Sequence, residues 1–270
     1  MKTRIFILAI IIFSNINYPQ NFQWIKIGNG VQYTLTENKI GNNILVAIGG
    51  WQAKQQWVNK WSEEMFKAKL NELGIQHIFS VKGPDEACNK NKEINIKALA
   101  DYIKNIIYAT YYVDKVILVA HSSGSFVAND LLNLLYGKSG IAKDSFYVNK
   151  VHYFNLDGGI GGSGCGEKLE DEAINYIVKI YGVAAYDSVS GKYSSNYETM
   201  RELSEKYGDK SELIVVDATN SGCNDKWCLH DALIISKPHN PDKYDLEKDY
   251  TLFDDERRVQ TAYLNQLIKK

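Results

Sequence analysis

The chain has 270 residues, 45% of them hydrophobic and only four of them proline, enough to bury one large core; roughly 250 residues is ordinary for one α/β domain. Its 31 basic and 32 acidic side chains leave a formal net charge of -1, and no basic run exceeds two residues, which argues against a nucleic-acid-binding surface. No Cys/His group has metal-ligand spacing, and neither an internal repeat nor a low-complexity tract is present.

The opening MKTRIFILAIIIFSNINYPQ sets Lys2 and Arg4 before the apolar stretch Ile5 to Phe13, the layout of a secretory signal peptide. Residues 1–20 are therefore expected to be a removed signal and 21–270 a single catalytic domain that is secreted. That apolar stretch is too short to cross a bilayer, which needs about 20 residues, and no later segment is longer, so no stable membrane insertion is expected.

Trp24 to Thr36 alternates around Gly28-Asn29-Gly30 and predicts a hairpin. Ile44 to Ile48 reads as a buried strand ending in Gly49-Gly50. Trp57, Trp61, Met65, Ala68 and Leu73 then recur as the face of an amphipathic helix that Gly74 stops, with both tryptophans as core. Ile78 to Val81 predicts a strand, and Ile94 to Ile107 a helix. Further strands are expected at Val116 to Val119, Val151 to Leu156 and Leu213 to Val216. Helices are expected near Phe126 to Tyr136, Ala173 to Tyr181 and Tyr197 to Tyr207, and a last one at Phe253 to Ile268. Such alternation implies a mainly parallel sheet with helices on both faces, whose ligands sit beyond the carboxyl ends of the strands.

One strand exit, Ala120-His121-Ser122-Ser123-Gly124, matches the nucleophile elbow G-x-S-x-G with alanine for the first glycine, and has a buried strand before it and an apolar helix after it. Ser122 would stand clear at the helix N-terminus. A serine hydroxyl needs a base to take its proton and an acid to orient that base. His77 and His152 lie at strand starts and His121 is read as pointing away from its neighbour's hydroxyl, which leaves His230 and His239. Asp157, followed by Gly158-Gly159, Asp217 and Asp225 are the acid candidates. Four cysteines in an exported chain favour two disulfides; Cys223–Cys228 would enclose four residues, and Cys88–Cys165 follows by elimination.

Four stretches, IGGWQAKQQW, AHSSG, NLDGG and CNDKWCLHDAL, resemble in order the oxyanion loop, elbow, acid turn and C-x-H histidine of small secreted lipases of the pancreatic-lipase and phospholipase A1 group, which have the α/β-hydrolase fold. The resemblance implies Ser122 as nucleophile, Asp157 as acid, His230 as base, and the N–H groups of Trp51 and Ser123 as the oxyanion hole. Gly49, Ala120 and Gly158 depart from the group's histidine, glycine and proline. A second resemblance, of D-x-x-C followed by LIISKPH to the cutinase ending, implies Asp225 and His239 with Ser122 instead. The cysteine loop holds only Asn224 to Trp227, too few for the group's flap, and cover is sought in Gly158 to Gly166 or Asp187 to Asn196.

The expectation is a monomeric serine hydrolase of lipid or small soluble esters that needs no metal or organic cofactor. A binding protein that keeps the fold without turnover is the alternative from another class, and a peptidase or acyltransferase on the same triad is a third.

Overall fold

Two runs without a polar interruption on either face, the strands β3 (Asn43–Ile48) and β5 (Val116–His121), are buried throughout and sit side by side in parallel at the centre of one sheet. Strands buried on both faces read as continuous apolar runs rather than alternating ones. The computed structural model describes residues 21–39, 41–87, 93–110, 112–143, 149–162, 165–234 and 259–268. Residues 1–20, and with them the expected signal peptide, lie outside this set.

Outward on one side, β4 (Ile75–Val81) runs parallel to β3, and β2 (Val31–Leu35) and β1 (Ile25–Gly28) complete an antiparallel edge; β1 and β2 form the expected hairpin, with Gly30 at φ +67° in its turn. On the other side come β6 (Val151–Leu156), β7 (Lys179–Asp187) and β9 (Ser211–Asp217), all parallel. Consecutive residues of β3 divide the core: Ile44, Val46 and Ile48 pack under helices α2 (Ile96–Ala109), α3 (Gly124–Tyr136) and α5 (Tyr197–Lys206), while Leu45 and Ala47 pack under α1 (Gln55–Met65) and α6 (Lys226–Asp231). The short turns Val259–Ala262 and Asn265–Ile268 join the second face through Val259, Tyr263, Leu264 and Leu267.

Two expectations are corrected. Among the described residues, the helix expected at Phe253 to Ile268 is the two separate turns Val259–Ala262 and Asn265–Ile268. The helix expected near Ala173 to Tyr181 is a single turn, α4 (Asp171–Ile174), and the chain then enters β7 as KIYGVAAYD. Ile180 and Ala184 of this strand pack into one core and Tyr181, Val183 and Ala185 into the other, so both faces are covered, no two-residue alternation survives, and its apolar residues mimic a helical pattern.

β7 also outruns β6. Their pairing ends at Leu156 and Val183, yet β7 continues to Asp187 with β9 along its other edge up to Tyr186. The vacated edge is taken by a two-residue strand, β8 (Lys192–Tyr193), paired antiparallel to Tyr186 and Asp187. The residues following β8 thereby arrive directly beyond the carboxyl end of β6, where Asp157 lies.

Candidate active site

Three of the four non-glycine residues with positive φ among the described residues lie at the carboxyl edge of the sheet: Gln52 (56°) after β3, Ser122 (54°) after β5 and Asp157 (46°) after β6. Each such conformation costs of order 1–3 kcal/mol and persists only where its surroundings impose it. At Ser122 the cause is the turn from β5 into α3: Ser122 N–H still donates to Leu156 O at 3.0 Å, and its own carbonyl already accepts from Ser125 N–H at 3.1 Å. The chain reverses within one residue and leaves Ser122 partly exposed while Ser123, Gly124 and Ser125 are buried.

Gly124 is required by contact. A Cβ there would lie 2.4 Å from Gly49 O and 3.0 Å from Ile48 O, at the backbone of the β3 exit. Ala120, where the motif has glycine, is fully buried between its partners Ile48 and Asn155. The loop after β3 crosses above Ser122, since a Cβ on Gly50 would come 2.9 Å from Ser122 Cβ. It is tied to the segment after β4 by Gly49 N–H to Val81 O, Gln52 N–H to Pro84 O and Gly83 N–H to Ala53 O, at 3.0, 2.8 and 2.9 Å. Among the described residues the N–H groups of Trp51 and Ser123 make no hydrogen bond. Donors left unspent at a helix N-terminus and a facing loop suit a developing oxyanion.

Asp157 is fully buried, and its carboxylate is satisfied from several directions. His230 Nδ1 lies 2.6 Å from Oδ2, Ser195 Oγ donates to Oδ2 at 3.0 Å, Ser194 Oγ donates to Oδ1 at 2.7 Å, and Asn196 N–H reaches both oxygens at 3.1 and 3.2 Å. Asn196 Nδ2 also donates to the Asp157 carbonyl at 2.6 Å. A buried carboxylate without such donors would be strongly disfavoured. Ser194, Ser195 and Asn196 belong to the segment expected to cover the site; it binds Asp157 instead. No motif marks them, and only the overhang of β7 brings them there.

His230 is the fifth residue of α6, whose N-cap is Asp225: that carboxylate accepts from Trp227 and Cys228 N–H at 2.8 and 3.0 Å. The disulfide Cys223–Cys228 closes the loop that leads in. Cys165 is also disulfide-bonded, and its expected partner Cys88 lies outside the described residues. Asp217, at the end of β9, is exposed and bonds Thr219. His239 lies outside the described residues, so its expected pairing with Asp225 has no described geometry.

His121 packs against His230 rather than standing apart from it. Its ring centroid is 4.4 Å from that of His230, and its Nε2–H donates to the His230 carbonyl at 3.1 Å. Burial first, then the neighbouring His230, holds His121 well below the ordinary imidazole range, so it is neutral; its Nδ1 has no partner among the described residues. Burial likewise lifts Asp231, beside His230, from 3.8 to about 6. His121, His230 and Asp231 can bring one ligand atom each within 4.8 Å of one another; with Nε2 of His121 and Nδ1 of His230 bonded inside the protein, the nitrogens left to ligate are Nδ1 of His121 and Nε2 of His230. Among the described residues no helix is long and apolar enough to cross a membrane.

No family model matches the chain, and no curated protein matches it. Solved structures do. Esterase B of Lactobacillus rhamnosis, solved with a tributyrin phosphonate inhibitor, matches with a TM-score of 0.50 at 10% identity, over 92% of this chain and 89% of that one. An esterase of Pyrococcus furiosus matches with a TM-score of 0.46 at 11% identity, over 73% of this chain and 83% of that one. The likeness does not reach the pancreatic-lipase and phospholipase A1 group in particular. Together with the sheet order and the strand exits, it shows that the chain has the α/β-hydrolase fold.

Proposed function

We propose that the protein is a serine hydrolase of carboxylic esters that works through an acyl-enzyme. The observation that carries this reading is the 2.6 Å contact of His230 Nδ1 with the buried carboxylate of Asp157, one strand away from a serine held at positive φ. Asp157 accepts the Nδ1 hydrogen, which leaves Nε2 of His230 as the lone pair that takes the proton of Ser122. Ser122 Oγ then attacks the ester carbonyl, the oxygen gains charge towards Trp51 and Ser123 N–H, and His230 returns the proton to the leaving alcohol. Water repeats the cycle and frees the acid. Each oxyanion donor is worth roughly 3–4 kcal/mol of barrier. The reaction draws on no metal or organic cofactor.

Apolar or lipid esters are the proposed substrates. Two large indoles are exposed beside the chemistry: Trp51, whose N–H is a proposed oxyanion donor, is 56% exposed, and Trp227, whose ring meets the His230 ring edge-on at 5.8 Å, is 59% exposed. Amphipathic rings of this kind suit an apolar acyl chain or a lipid surface. The cysteine loop is too short for a lid and is pinned, Lys192 Nζ donating to Asn224 O at 2.9 Å. Export as a monomer, from the signal-like residues 1–20, is part of the proposal.

The test is turnover of p-nitrophenyl esters of increasing chain length, beside phospholipid vesicles, by wild type and the variants Ser122→Ala, His230→Ala and His239→Ala. The reading expects loss with the first two and retention with the third. Full activity in His230→Ala with none in His239→Ala would transfer the roles of acid and base to Asp225 and His239.

A further inference from the structure

We propose that Ser195 is a positioning residue of this active site, the hydroxyl that fixes the contact between Asp157 and His230. The inference rests on the triad reading above and adds a residue that no motif identifies.

Ser195 arrives at the site by construction. The overhang of β7 and its partner β8 form a hairpin whose turn is closed by Asp187, accepting from Val189 and Ser190 N–H at 3.0 and 3.1 Å. Tyr193 packs on Tyr186 and Tyr197 with ring centroids 4.5 and 3.9 Å away, bracing both sides of the Ser194-Ser195-Asn196 step. The two serines then differ in what they hold. Ser194 Oγ accepts from Ala185 N–H at 3.0 Å as well as donating to Asp157, so it is also part of the strand edge. Ser195 Oγ has two partners, both in the triad: Asp157 Oδ2 at 3.0 Å and His230 Nδ1 at 3.3 Å.

Counting donors assigns the hydrogens. Nδ1 has one, and the 2.6 Å contact with an ionised oxygen outcompetes the 3.3 Å contact with a hydroxyl. Ser195 O–H is therefore free to donate to Oδ2, the same oxygen that His230 uses. Without it, Oδ1 stays held by Ser194 and Asn196, but Oδ2, the oxygen that His230 uses, keeps only the 3.2 Å bond from Asn196 N–H beside that of the ring. Ring and carboxylate then lose their fixed alignment, although neither touches substrate through Ser195.

The experiment compares wild type with Ser195→Ala, Ser195→Thr and Ser195→Cys. The first reading is the low-field proton resonance of His230 Nδ1–H in the resting protein, which needs no turnover; the second is kcat against KM on a p-nitrophenyl ester. Ser195→Ala is expected to displace the resonance and to lower kcat about tenfold with KM within about twofold. Ser195→Thr, which keeps the hydroxyl, restores both, and Ser195→Cys, close in size with a weaker donor, falls between and replaces the alanine variant should that one not fold. An unmoved resonance in both the alanine and cysteine variants overturns the proposal. A resonance displaced by Ser195→Ala, in a protein whose wild type hydrolyses no ester, upholds the positioning role and removes the ester reading alone.

Discussion

Gly124→Ala tests how closely the elbow and the oxyanion loop are packed. The new methyl would lie 2.4 Å from Gly49 O and 3.0 Å from Ile48 O. Reaching the C···O contact distance of about 3.3 Å requires the helix start and the β3 exit to part by roughly 0.9 Å. Both obstacles are backbone carbonyls, so no rotamer relieves them. Overpacking of this kind costs about 1–3 kcal/mol, and the helix preference of alanine over glycine, at most about 1 kcal/mol, offsets only part. At 2–4 °C per kcal/mol for a chain of this size, a net cost of about 1–2 kcal/mol should lower Tm by roughly 2–8 °C in a circular-dichroism melt. The same separation moves Ser123 N–H away from Trp51 N–H, and a shift near 1 Å at reacting groups costs about a hundredfold. Ester turnover at 25 °C, where the variant is still folded, should therefore fall far more than stability does. A variant with wild-type Tm and wild-type kcat would refute the claim that this contact sets the geometry of the site.

Asp231→Asn should stabilise the protein at pH 8 and do little at pH 4. The folded value of about 6 lies above the ordinary 3.8, so stability from the protonated form is present below pH 3.8 and lost as pH rises through about 6. Discounted for partial exposure, the gain at pH 8 is about 1–2 kcal/mol, read as the difference between urea midpoints at the two pH values; an equal effect at both would contradict it. Removing the Cys223–Cys228 bond by double serine substitution should cost about 2 kcal/mol, the loop-closure value for so short a loop, and lower Tm by roughly 4–8 °C. Asp225→Ala, by removing the N-cap of α6, should cost about 1 kcal/mol in a denaturant titration and leave ester turnover within a few fold of wild type, whereas complete loss of turnover would assign Asp225 a role in the chemistry.

Much of the sheet was legible because its central strands are bounded by strong signals. Ile44 to Ile48 ends in two glycines, Val116 runs into a small-residue turn, and Val151 to Leu156 ends at Asp157-Gly158-Gly159. β7 was not legible, since KIYGVAAYD is covered on both faces and its spacing serves a helix as well as a strand. The site divided along the same line. Ser122, Asp157 and His230 each follow a local pattern, whereas Ser194, Ser195 and Asn196 reach Asp157 because one strand is longer than its neighbour. That relation between β6 and β7 is tertiary and leaves no trace in a local window. For a related reason the sequence does not show what the His121 ring faces, which is His230, 109 residues later.

The central claim is that Ser122 is a nucleophile activated by His230, and its most direct test is covalent labelling by a fluorophosphonate followed by mass spectrometry of the digested protein. The account predicts one phosphonyl adduct per chain, located on Ser122, absent in Ser122→Ala and slowed by orders of magnitude in His230→Ala. Absence of an adduct from the folded wild type, or an adduct on another serine that persists in Ser122→Ala, would contradict it.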